Sequence, residues 1–160
     1  MTSAADLPER SRLVQQSLDE VGIRSEITVL PDSARTAPEA AAAIGCAVSA
    51  IANSLVLVAD GEPVLVMTSG GHRADLEVVA RSIGADAVQM APARVVREAT
   101  GQAIGGVAPA GHPASLRSFV DESLADHAVV WAAAGHPHTV MPLTFEELVR
   151  LTGGQVIRVV

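Results

Sequence analysis

The chain has 160 residues, about one domain's worth of polypeptide, and 49% of it is hydrophobic, which excludes a disordered chain. Aromatics make up only 2%, with no Tyr, so the core is expected to be Val, Leu, Ile and Ala, and the single cysteine, Cys46, excludes an intramolecular disulfide and a multi-cysteine zinc site and fits a reducing cytoplasm. The 18 acidic and 11 basic residues give a formal charge of −7, so any polyanion must meet a local exception to the field; all the basic residues are Arg, and the lack of lysine excludes Schiff-base and lysine general-base chemistry.

Met1 to Asp6 has no basic run leading into an apolar one, so no secretory signal is expected. Asp6-Leu-Pro-Glu9, Thr36-Ala-Pro-Glu39 and Thr144-Phe-Glu-Glu147 each place a capping residue three positions before Glu, which predicts three helix starts. The first helix is expected over Leu7 to Val21, with Leu13, Val14, Leu18 and Val21 on its inner face, and the second ends at Gly45. Ala40 to Ala59 carries no charge over 20 residues, the length of a bilayer span. It is rich in Ala and contains Gly45, Ser49, Asn53 and Ser54, so it reads as helix followed by strand and not as a membrane segment.

Leu55 to Val58 and Val64 to Met67 flank Asp60-Gly-Glu-Pro63 and predict a hairpin in the centre of a sheet. Leu76, Val79, Ala80 and Ile83 repeat at helical spacing before Gly84, a short strand is expected at Val88 to Ala91, and a helix at Pro92 to Thr100. Gly101 to Pro113 holds four Gly and two Pro and is a loop. Strands follow at Leu116 to Val120, Ala128 to Ala133 and Thr139 to Met141, then a helix at Phe145 to Leu151 and a last strand at Val156 to Val159. No repeat or linker divides the chain, so 1–160 reads as one domain of mixed α/β class.

Gly105-Gly-Val-Ala-Pro109-Ala-Gly111 is the segment richest in chemistry. Its glycines let a ligand approach the backbone while Pro109 restrains it, which suits an anion or oxyanion cradle as well as a plain sharp connection. His136 and His138 face one side of an extended segment, but no third ligand is evident, so no metal is assigned. Thr68-Ser-Gly-Gly-His72 is not a nucleophile elbow, and Cys46, among apolar neighbours, reads as a structural thiol. Between Gly71 and Arg117 five arginines outnumber four acids, which leaves that half of the chain a tolerable face for phosphates.

The order of Thr36-Ala-Pro-Glu-Ala-Ala, Ile51-Ala-Asn-Ser-Leu-Val-Leu, Ser69-Gly-Gly-His-Arg-Ala-Asp-Leu76, Ala99-Thr-Gly, the Gly105 loop, Val120-Asp-Glu-Ser123 and Ala134-Gly-His-Pro resembles the YbaK/ProX family of aminoacyl-tRNA deacylases, relatives of the editing domain of bacterial prolyl-tRNA synthetase. The resemblance spans about residue 20 to residue 152. It implies a curved mixed sheet wrapped by helices that hydrolyses the ester between a small amino acid and the 3′ end of tRNA, tRNA-Pro foremost, with no cofactor. tRNA is the implied partner, prolyl-tRNA synthetase a candidate second one, and neither DNA nor a membrane is implied. Asn53, Gly105 and Gly106 are the implied catalytic positions, with Val107, Ala108, Pro109, Gly111, Ser69, His72, Arg73 and His136 around the substrate. Asn53 stands where the family usually has lysine and brings hydrogen bonds without charge. The alternative is therefore a module that binds a tRNA end or a small ligand and has lost hydrolysis.

Overall fold

The computed structural model describes residues 7–160. Helix α1 (Glu9–Glu20) starts after Pro8, and the Asp6 cap expected for it lies outside the described residues. Its buried stripe is Ser11, Val14 and Leu18, with Leu7 buried just ahead of the helix, whereas Leu13, expected inside, is 46% exposed. Ser11 takes that place because its Oγ is within 3.0 Å of the Thr139 Oγ1, so the buried hydroxyl is satisfied. The other two caps form as expected. Thr36 Oγ1 accepts from the Glu39 N–H at the start of α2 (Ala37–Ile44), and Thr144 and Glu147 close a reciprocal capping box on α5 (Phe145–Thr152).

The sheet holds β1 (Thr28–Val29), β2 (Ile51–Ala59), β3 (Glu62–Ser69), β4 (Val88–Met90), β5 (Arg117–Asp121), β6 (Val130–Ala133), β7 (Thr139–Leu143) and β8 (Gln155–Ile157). Its order is β1-β7-β6-β2-β3-β5-β8, with β4 also on β2, and it mixes antiparallel pairs with the parallel pairs β2–β6, β3–β5 and β5–β8. The predicted hairpin is the centre of this sheet, and its strands run longer than the apolar runs alone suggest. Asp60 and Gly61 both have positive φ at the tip, and the Asp60 carboxylate also receives the Asp86 and Ala87 N–H groups, which ties the approach to β4 onto the hairpin.

Residues Val64 to Met67 are almost wholly inaccessible because both sheet faces are covered. Leu65 and Met67 face α1, α4 (Ala93–Thr100) and α5 through Val14, Leu18, Val96 and Leu148. Val64 and Val66 join Leu57 and Phe119 under Val79 and Ile83 of α3 (Leu76–Ile83). A third cluster packs α2 through Ala40 and Ala41 on Ile51 and Val140. Among the described residues no helix is long and apolar enough to cross a membrane, and the uncharged Ala40 to Ala59 stretch divides into the end of α2, a 3-10 turn at Val48–Ala50, and β2.

One buried carboxylate joins β3 to β5. Asp121, 1% exposed, accepts from Thr68 Oγ1 at 3.2 Å, the Ser69 N–H at 2.9 Å and His72 Nε2 at 2.7 Å, while its second oxygen takes the Ser123 N–H at 2.9 Å. Burial pushes its pKa up, but the bonds from the Ser69 and Ser123 backbone N–H groups and from His72 outweigh burial and hold it below the ordinary value of 3.8. Its stabilisation is thus complete above that ordinary value and fades as the pH falls through the lowered one. Asp121→Asn, which leaves the Ser69 N–H facing an NH₂ group, is expected to cost about 1 to 3 kcal/mol at pH 7 in urea unfolding, with the gap from wild type narrowing towards pH 3. A gap that stays constant with pH would mean the charge contributes nothing.

Candidate functional site

Strand β2 changes partner halfway along one edge. Its ladder to β6 ends at Ala52–Ala132, and its ladder to β4 begins at Leu57–Met90, so Asn53 to Val56 face no strand there while β3 stays paired along the other edge. The Ile51 C=O accepts from the Gly70 N–H on the β3 side and the Val56 C=O from Ala91 on the other, so the alternation of backbone directions aims the Ser54 N–H and C=O into the opening. The Ser54 hydroxyl is turned away from it, 3.3 Å from Met67 Sδ.

A cavity of about 280 Å³ occupies this opening. Its interior is small and apolar, with Ala37, Ala40, Ile44, Ile51, Ala52 and Ala132 among its walls, and its polar lining is Thr36, Asn53, Ser54 and Arg35. Met90 and Ile104, at 57% and 55% the two most exposed large apolar side chains among the described residues, flank it. Arg35 is the one ionisable residue in the lining. Asn53 is exposed in β2, opposite Thr68, and its amide has no partner among the described residues.

The glycine loop closes one side through Ile104, Gly105 and Val107. Gly105 has φ +92°, and a Cβ there would lie 2.9 Å from the Cβ and Cγ of Arg35. Gly106 is packed so closely on His136 that a Cβ would fall 2.6 Å from its carbonyl carbon. The Gly106 N–H is donated to the Ala103 carbonyl at 2.9 Å, so it is not a spare donor; the Gly105 and Val107 N–H groups have no acceptor among the described residues. Gln102, 1% exposed, braces the loop from inside by accepting from the Ala108 N–H at 2.7 Å and donating to the Ala110 C=O at 3.1 Å. Ala108 and Pro109 are buried beneath the cavity wall, and Gly111 packs on Val14 of α1.

The remaining sequence-predicted positions fall into two groups. Ser69 and His72 belong to the Asp121 cluster, with Ser69 Oγ donating to the Ser49 C=O at 2.8 Å, and Arg73 is exposed beyond it. None of the three lines the cavity, although Thr68 and Asn53 share a face as a cross-strand pair. His136 lies behind Gly106, its ring 5.4 Å from that of His138. Its Nδ1 accepts from the His138 N–H at 3.1 Å, so the neutral ring carries its proton on Nε2. Burial first, then the charges of His138, Arg10 and Arg35, keep its pKa below the usual histidine value. Arg35, Met90, Ile104 and Gln102 carry no motif, and sequence reasoning passes over all four; Ser54 lies within the Ile51 to Leu57 motif but is assigned no role there.

A family model described as the aminoacyl-tRNA editing domain matches residues 31–151, a span that takes in Arg35, Asn53 and the glycine loop. The chain is similar to YwhH, an uncharacterised protein of Bacillus subtilis, at 32% identity over 125 residues, covering 78% of this chain and 79% of that one. It is also similar to a proline–tRNA ligase of Bacillus licheniformis at 36% identity over 103 residues, 64% of this chain but only 18% of the ligase. A solved structure provisionally described as a trans-editing enzyme for prolyl-tRNA synthetase matches with a TM-score of 0.89 and 41% identity over 96% of this chain and 98% of that one.

Proposed function

Because the chain belongs to the aminoacyl-tRNA editing domain family, also called YbaK/ProX, we propose that it hydrolyses the ester joining a small amino acid to the 3′ end of a mischarged tRNA, tRNA-Pro foremost, and so serves prolyl-tRNA synthetase in trans. The observation that carries this reading is the cavity in the opening of the sheet, small and apolar inside with hydrogen-bonding groups at its mouth. The aminoacyl side chain enters among Ala37, Ala40 and Ala132, where size excludes larger residues more sharply than an apolar wall can rank similar ones. Met90 and Ile104 offer the terminal base an apolar rim.

The chemistry asks little of the protein, since the ester is activated and positioning supplies most of the gain. A water oxygen, held by the neighbouring ribose hydroxyl, attacks the ester carbonyl; the bond to the ribose oxygen breaks, that oxygen takes up the water's proton, and the free amino acid leaves. Asn53 orients the attacking oxygen through its unpartnered amide, and the N–H groups of Gly105 and Val107 stabilise the developing oxyanion. Among the described residues the one charged side chain in the lining is an arginine, which offers donors and no acceptor, so no side chain there acts as a general base. That same fact favours a second reading, a module that binds the tRNA end without turnover.

Purified protein is expected to release alanine from alanyl-tRNA-Pro well above the rate in buffer, with or without a chelator. Tight binding of that tRNA with no added hydrolysis would transfer the assignment to the binding module. Activity lost to a chelator and restored by zinc would overturn the metal-free mechanism.

A further inference from the structure

Among the described residues the single charged side chain lining the cavity is Arg35, which sits in the segment between β1 and α2 and is held by the glycine loop itself. Its Nη1 donates to the Ile104 carbonyl at 3.3 Å, and its stem packs against Gly105. The acids flanking it in sequence are Asp32 and Glu39; Glu39 takes the Thr36 hydroxyl at 2.9 Å, and neither these nor any other carboxylate pairs with Arg35 among the described residues. A chain of charge −7 thus keeps a guanidinium at the mouth with no counter-ion in place and most of its donors unspent.

We propose that Arg35 forms an anion subsite that takes the phosphodiester of the terminal nucleotide and so positions the ester in the cavity. This rests on reading the cavity as the site of a tRNA 3′ end, for the phosphodiester on the 5′ side of the terminal nucleoside is the anion nearest to that ester. In a chain without lysine the contact falls to arginine, whose planar fork engages two phosphate oxygens together. Arg35 is then a positioning residue: it fixes where the ester lies and takes no part in bond making.

The test compares two substrates, the 3′-alanyl ester of the trinucleotide CCA, which carries that phosphodiester, and the alanyl ester of adenosine, which lacks it. Arg35→Gln is expected to raise KM for the trinucleotide about tenfold and to shrink the preference for it over the nucleoside by the same factor. Arg35→Lys, which keeps the charge, is expected to retain most of the preference. Equal fractional losses on the two esters, or a loss confined to kcat, would overturn the phosphate contact. If wild type hydrolyses neither ester, the hydrolase reading fails separately, and the subsite is read from binding of the 3′-alanylamido forms of CCA and adenosine. There, a wild-type preference for CCA that Arg35→Gln abolishes supports the subsite, and equal wild-type affinities overturn it.

Discussion

Asn53→Ala is expected to slow hydrolysis of a mischarged tRNA by about 10²-fold or more, the scale of losing one preorganised hydrogen-bonding group at a reacting centre. The side chain is exposed on β2 where that strand has left β6 and not yet met β4, and no other described residue holds its amide. A structural role at the strand entrance would require such a bond, so the loss is expected in turnover, with the melting temperature nearly unchanged. Asn53→Lys probes the same place from the other side. If Arg35 already provides the charge the substrate needs, a second cation adds little; a rate that climbs well above wild type would mean that the native site is short of charge. Single-turnover rates of the three proteins on alanyl-tRNA-Pro decide between these outcomes, and equal rates for wild type and Asn53→Ala would remove the amide from the mechanism.

The elements that sequence makes legible are those whose signal is local. Helix α3 is found where its apolar spacing predicts it, and the β2–β3 hairpin where two continuous apolar runs flank a turn, as befits strands covered on both faces. Strand β1 goes unread: it is two exposed residues whose only reason to be extended is β7, more than a hundred positions later. The inner face of α1 is misassigned at Leu13 for a related reason, since what makes Ser11 a buried residue is a hydroxyl on Thr139. The 3-10 turn at Glu122–Asp126 is likewise unread, occupying ground before β6 that the sequence suggests is nearing a strand. At the site, motif order draws attention to Asn53 and the Gly105 loop, which meet at the cavity. It joins Ser69 and His72 to them as well, whereas the structure gives those two to Asp121, and it is silent on Arg35, because an exposed arginine in an irregular segment has no pattern to betray it.

Gly105→Ala is expected to lose turnover out of proportion to stability. Two strains act together: an L-residue at φ +92° leaves its favoured region at a cost of about 1 to 2 kcal/mol, and the new methyl meets the Arg35 stem at 2.9 Å. The Cα of Arg35 is only 3.1 Å away as well, so no rotamer relieves the contact and the main chain at Arg35 must shift; it lies in an exposed irregular segment outside the helices and strands, so the fold survives. What moves is the cation at the mouth and the Gly105 backbone, so binding and the proposed oxyanion contact are both disturbed. Gly106→Ala provides the contrast. Its methyl would lie 2.6 Å from the main chain of His136, which has no rotamer to escape into, so the loop and the Ala134 to Thr139 turn must separate and the loss is expected mainly in stability. Pro109→Ala, which loosens the loop without filling any space, is expected to be milder than either. Urea unfolding and alanyl-tRNA-Pro hydrolysis measured on the same three variants separate the cases: Gly105→Ala should stand apart by a rate that falls much further than its stability, and an unchanged rate in that variant would place the loop outside the reaction.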